Sequence, residues 1–172
     1  MPMIQLGLTQ KIQKAAGIKP VNLCEIEDQD IGLGNWTVNL FNQDRRKNVI
    51  FLNDKTLYSF VLTGARKEHY TNLTEIFCRG LNQLLEIDGF TDSQISYLTA
   101  GLEDIRFTKT QSKSVLGSLN DLVWHYQFHI SDQGGLQFAN VGEIIHKLNR
   151  MPQNNLEWAF SINTVQEIAK NA

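Results

Sequence analysis

Residues 36–62 read WTVNLFNQDRRKNVIFLNDKTLYSFVL, and this stretch decides the fold. Trp36, Val38 and Leu40 alternate with Thr37 and Asn39, the period-two pattern of a half-buried strand. Residues 42–47 are polar and read as a turn. Residues 49–52 form a compact apolar run, and Asn53-Asp54-Lys55 reads as a second turn. Residues 56–62, rich in β-branched and aromatic side chains, make a third strand. Such short connections force antiparallel neighbours, because a parallel crossover needs about a dozen residues or more. The expected core of the fold is a β-meander.

Upstream, residues 3–8 read as a strand. Thr9 then caps a helix through Lys11, Ile12 and Ala16 that stops at Gly17, before Pro20. Downstream of Gly64 the period becomes helical: Leu73, Ile76, Phe77, Leu81, Leu84 and Leu85 share one face, and Asp88-Gly89 ends the element. Thr91 and Gln94 form a capping-box pattern for a short helix. Residues 105–108 alternate again and add a strand. Ser112 or Ser114 opens a longer helix with Val115, Leu119, Leu122, Val123 and Tyr126 inward, which breaks at Gly134-Gly135. Val141, Ile144, Ile145 and Leu148 mark another amphipathic helix, with Pro152 just beyond it. Asn163 with Gln166 suggests a last capping box.

Strands first and helices afterwards predict an α+β domain. Its antiparallel meander has about four to five strands, with helices on one face and the other partly solvated or facing a partner. The chain reads as a single domain over residues 1–172, with 153–172 as a candidate C-terminal extension.

The 172 residues carry 16 Lys and Arg against 18 Asp and Glu, a formal net charge of −2. Hydrophobic residues make up 42%, so the chain is neither a polybasic nucleic-acid binder nor an acidic solvating protein. The N-terminus lacks a secretory pattern and no apolar run is long enough to span a bilayer, so a cytoplasmic protein without membrane partners is expected. Two cysteines, Cys24 and Cys78, are too few for a disulfide scaffold, and Cys78 reads as a small buried side chain within a helix.

The charge is unevenly spread. Residues 44–68 hold six basic and three acidic side chains, a local excess of +3. Arg45, Arg46 and Lys47 lie in a turn and, with Arg66, Lys67, Arg106 and Lys109, form one positive patch if the segments converge. Arginine favours bidentate recognition of phosphate or carboxylate, yet Arg45 and Arg46 also have Asp44 and the acidic loop as internal partners. That loop, with Glu25, Glu27, Asp28 and Asp30, lacks the spacing and glycine of a calcium-binding loop and reads as solvated acid.

Lys109, Thr110, Ser112, Lys113 and Ser114 lead into the long helix. Hydroxyls, ammonium groups and free backbone N–H donors suit a phosphate there, although the glycines of a P-loop are missing. Asn120 sits inside an apolar helix pattern, where a buried amide must fasten the helix to something. Asp121, His125 and His129 recur every fourth residue. A straight helix spreads them over about 12 Å, too far for one metal ion to reach all three comfortably. Ser118 on the same face completes a Ser–Asp–His set on paper only. His69 and His146 stand alone. No cofactor motif is present.

Several blocks together resemble a bacterial family of domains of unknown function: residues 35–40 (NWTVNL), 44–47 (DRRK), 56–60 (TLYSF), 107–110 (FTKT) and 114–121 (SVLGSLND). Similar blocks occur in the N-terminal part of some plasmid-borne open-reading-frame proteins. The resemblance spans roughly residues 3–150 and implies a bacterial, intracellular protein without supplying a mechanism. It draws attention to Arg45, Arg46, Lys47, Lys109, Thr110, Ser114 and Asn120.

The leading expectation is a non-catalytic binding module with a basic site for an anionic ligand, a nucleic acid or a protein partner. Its ligand-binding candidates are Arg45, Arg46, Lys47, Lys109, Thr110, Ser112, Lys113, Ser114 and Asn120. Alternatives are an interaction or regulatory domain using the open sheet face or the C-terminal aromatics Trp158 and Phe160, and a hydrolase or metal enzyme using Asp121, His125 and His129. No metal is expected.

Overall fold

The computed structural model describes residues 1–172. The strands are β1 (Ile4–Leu8), β2 (Trp36–Gln43), β3 (Arg46–Asn53), β4 (Ser59–Leu62) and β5 (Ile105–Lys109). The helices are α1 (Gln10–Ala16), α2 (Lys67–Thr71), α3 (Leu73–Ile87), α4 (Asp92–Leu98), α5 (Lys113–Asp132), α6 (Val141–Leu148) and α7 (Ser161–Ala169). A two-residue pair, Pro152–Gln153 against Ala159–Phe160, closes the last loop. No helix is long and apolar enough to cross a membrane.

The sheet order is β4-β3-β2-β1-β5. The meander expected from residues 36–62 is present, since β2, β3 and β4 pair antiparallel. The sheet as a whole is not a meander. β1 lies inside the sheet, between β2 and the edge strand β5, and runs parallel to both, so the sheet is mixed. The physical reason is connection length: α1 and the long loop before Trp36 supply the crossover that a parallel pair requires.

The expectation of helices on one face is also corrected. Val49 and Phe51 of β3 join a core with Trp36, Phe77 and Leu81, while Ile50 and Leu52 join a second core with Leu119, Leu122 and Tyr126. Consecutive strand residues point to opposite faces, so β3 is buried on both sides. α1, α3, α4 and α7 cover the first face. α5 and α6 cover the second, which removes the open sheet face as an interaction surface.

Residues 42–47 do not form a six-residue turn. Asn42 and Gln43 pair with Lys47 and Arg46 in the ladder, leaving only Asp44 and Arg45 to turn. Both have positive φ, 52° and 62°, a strained conformation for non-glycine residues. The Asp44 carboxylate holds the turn by accepting from Leu136 N–H at 2.7 Å.

Other local signals divide: the helix stops and one capping box form as expected, and two expected caps do not. Gly17 and Asp88 end α1 and α3, and Thr91 and Gln94 exchange both capping-box hydrogen bonds. Thr9 precedes α1 but gives its hydroxyl to Asn39 Oδ1 rather than capping. The expected box at Asn163 is absent, because α7 already begins at Ser161. Gly101, at φ +98°, passes so close to Met3 that a Cβ would lie 2.6 Å from its carbonyl carbon.

Buried asparagines tie the loops to the sheet. Asn53 donates to Leu33 and Asn35 carbonyls and accepts from Thr56 N–H and Oγ1. Asn149, just after α6, pairs with both N–H and C=O of Ser59 and so acts as an extra strand residue on the β4 edge. Residues beyond Pro152 also enter the first core, through Ile162, Val165 and Ala169.

Candidate functional site

The basic residues read from the sequence do not meet in one place. Lys109 ends β5, whereas Arg46 lies in β3, three strands away and five pairing steps further along the ladder. Strand spacing and rise put these backbones roughly 20 Å apart. Arg106 is taken up by Asp104, its Nη2 2.9 Å from the carboxylate. Hydrogen bonding to that guanidinium holds the Asp104 carboxyl below its usual range.

The pleat also divides Arg46 from Lys47. Arg46 lines a recess of about 610 Å³ with Asp44 and the Gly134-Gly135 loop, on the α5 side. Lys47 points to the α1 side, where it lines an open cavity of about 440 Å³ together with Lys11 and Lys14. Leu40 and Ala15 form its apolar part, while the Phe41 ring turns to the opposite face and stacks on Tyr126. None of these three lysines takes part in an ion pair, and neither do Arg45, Arg46, Arg66 or Lys67. Arg66 and Lys67 begin nearby, because Ala65 N–H bonds the Lys47 carbonyl at 2.8 Å. Internal pairing of Arg45 or Arg46 with an acidic group is therefore not what the structure contains.

The loop before α5 faces a different environment. Ser112 caps α5 by accepting from Val115 N–H at 3.3 Å. Ser112 and Gln111 line a cavity of about 330 Å³ whose other walls include Asp28, Asp30 and Asp54. These carboxylates, with Lys55 also in the wall, make the surroundings of Ser112 unfavourable for a phosphate, while Thr110 and Ser114 lie outside this cavity. Lys113 and Ser114 are exposed on the first turn of α5. Asn120 is exposed too and has no hydrogen bond, so it does not fasten the helix.

Asp54 is the most perturbed carboxyl here. Burial pushes its pKa up to about 6, against the hydroxyl of Thr37, which donates to it at 2.7 Å and acts in the opposite direction. A folded-state pKa above the unfolded one means that stability is fullest below the unfolded value and is lost as pH rises through about 6. Asp54→Asn keeps an acceptor for Thr37 but removes the titration. Relative to this variant, the native protein should lose about 2 kcal/mol between pH 4 and pH 7. Urea unfolding of both proteins across that range checks it, and parallel curves would refute the buried-acid account.

On α5, His125 Nε2 lies 3.8 Å from Asp121 Oδ2, and no three His, Cys, Asp or Glu side chains converge to hold a metal ion. Burial, Lys147 and His125 hold the His129 pKa below its ordinary value. Ser118 is buried and receives a hydrogen bond from Asn155. No nucleophile–base pair results. The outer side of this helix instead presents Trp124 and Phe128, stacked at 5.6 Å and 58% and 51% exposed.

A cluster that sequence reasoning missed lies at the end of α3. The Asp88 side chain is 1% exposed and accepts from the Tyr58 hydroxyl, with Arg150 Nη2 at 3.4 Å and His146 Nδ1 at 3.8 Å. Burial, followed by the contact with Asp88, raises the Tyr58 pKa well above its ordinary value. These residues come from three separate segments, and only the four-residue spacing of His146 and Arg150 is visible in the sequence. Lys11 and Lys14 did carry a signal: they lie three apart on α1, on the side away from Ile12.

Residues 5–164 match the family described as a domain of unknown function, DUF6933. The chain belongs to this family. The match covers the whole sheet except Ile4, and extends into α7, so the lysine cavity and the Asp88 cluster both lie within the family domain. No curated protein matches the chain.

Proposed function

We propose that this family member is a non-catalytic binding module whose α1–β3 corner takes a small phosphate-bearing ligand. The observation that carries the reading is the recess shared by Lys11, Lys14 and Lys47, three cations without ion-pair partners. Arg66 and Lys67 at the start of α2 add to the field from beside it. Lysines act as mobile point charges, which suits phosphate oxygens approached from solvent. Leu40 and Ala15 supply apolar contact for the non-phosphate portion of the ligand. A recess rather than a long basic stripe favours a small ligand over a nucleic-acid backbone.

Titration with pyrophosphate and with ATP at about 50 mM and about 200 mM salt tests this, because an association dominated by exposed charges weakens with screening. Each of Lys11→Ala, Lys14→Ala and Lys47→Ala should weaken binding about threefold. Lys109→Ala, on the far strand, should not. Absence of binding by both ligands at low salt, or unaltered binding by the triple lysine variant, would overturn the proposal.

A further inference from the structure

The cavity beside Asp88 differs in character from the lysine corner and is independent of it. It lies between β4, α3 and α6 and holds about 260 Å³. Its apolar walls come from Phe60, Leu84, Ile87 and Ile145, and its polar side chains are Gln83, Asp88 and His146. Phe60 is the outermost ring of an aromatic stack, 4.8 Å from Phe51 and 6.1 Å from Phe77, so this wall is rigid. An apolar recess ending in a few convergent polar groups is the usual form of a small-molecule site.

Two glycines line it. A Cβ on Gly80 would lie 2.5 Å from the Phe60 ring, so its absence lets that ring lie flat against α3. Gly142 has no such requirement. It sits within α6, has no positive φ, and a Cβ there would meet nothing nearer than Asn140 Oδ1 at 3.6 Å. Glycine within a helix is less favourable than alanine, and neither backbone geometry nor packing demands it at 142. What its missing side chain leaves is space over the cavity.

The polar end determines the charge of the occupant. Asp88 already accepts from Tyr58 and faces Arg150, so carboxylate and guanidinium offset each other. An anion would meet Asp88, and a cation would compete with Arg150. His146, 56% exposed and 3.8 Å from Asp88, remains free to hydrogen-bond a ligand from the rim. Enclosed cavities of about 150 Å³ lined by Leu, Ile and Phe admit benzene; this recess is larger but open to solvent on one side, with room for a ring whose polar substituent stays at the rim.

We infer that the Phe60–Ile145 cavity binds a small uncharged aromatic molecule, its ring between Phe60 and the aliphatic walls and its polar group at His146. Indole and phenol are suitable probes, followed by amide and side-chain NMR shifts of the full chain. Ligands of this size are expected to saturate with a Kd of about 0.1–1 mM. Shifts should centre on Gly80, Ile87, Gly142, Ile145 and His146.

Gly142→Leu should weaken binding at least about tenfold by filling the space, while removing the helix penalty of glycine keeps the fold intact. Gly117→Leu is the control: it is the same change in a helix where a Cβ meets nothing within 4 Å, far from the cavity. It should leave binding unchanged. The inference fails if neither probe saturates by about 10 mM, if the shifts centre elsewhere, or if both leucine variants behave alike. Binding of pyrophosphate at the lysine corner is read separately, so either proposal can fail without the other.

Discussion

Deletion of residues 153–172 is expected to yield an unfolded or insoluble chain rather than a trimmed soluble domain. Ile162, Val165 and Ala169 of α7 are buried in the same core as Trp36 and Phe77. Returning Ile162 and Val165 to water costs about 1.5–3 kcal/mol each, before the cavity left behind is counted. The deletion also strips the loop after β3 of its covering. Ser161 Oγ donates to the Leu57 carbonyl and Thr164 Oγ1 to that of Thr56, and Leu57 holds a positive φ of 58°. A domain of this size has roughly 5–15 kcal/mol in total, so the combined loss consumes most of it. Far-UV circular dichroism and a urea melt of the truncated chain are the check. A cooperative transition near the native midpoint would show that α7 is dispensable.

Asn149→Leu should be the most damaging single substitution at a polar position. Asn149 is fully buried, and its amide makes two 2.9 Å hydrogen bonds to the backbone of Ser59. β4 is an edge strand, so Ser59 has no neighbouring strand to take over its N–H and C=O. Leucine matches the volume but orphans both groups, each at about 1–3 kcal/mol. A loss of roughly 2–5 kcal/mol follows, with faster amide exchange along β4. Tyr126→Phe makes a useful comparison, since it removes the hydroxyl contact to Ser59 Oγ at 2.9 Å but leaves the backbone pairing intact. If the asparagine variant cost no more than this one, the strand-like role of Asn149 would be wrong.

The reading of the sheet shows how far local patterns reach. Alternation in residues 36–41 and the short connections gave β2, β3 and β4 with their antiparallel order. The unbroken run Val49-Ile50-Phe51-Leu52 already indicated burial on both faces, yet helices were expected on one. The position of β1 had no local signal. A strand of five residues followed by a helix pairs equally well at an edge or inside a sheet, and only the crossover back to β2 and the arrival of β5 make it an interior strand.

Side-chain convergence was less legible. Arg45, Arg46 and Lys47 are adjacent in the chain, but the turn and the pleat send Arg46 and Lys47 to opposite faces. Asn120 looked buried because apolar residues flank it, and the helix turns it outward. Tyr58, Asp88 and the His146–Arg150 pair belong to three segments that only the packing of α3 and α6 on β4 unites.

Short-range physics therefore determined the elements: period, caps and turn residues depend on neighbours within a few positions, and the sequence contains them all. It also determined the uneven charge beneath a net −2. Only the tertiary structure decided the parallel side of the sheet, the second helical layer and the membership of each cavity. Those depend on contacts between residues far apart in the chain, whose partners no local pattern names.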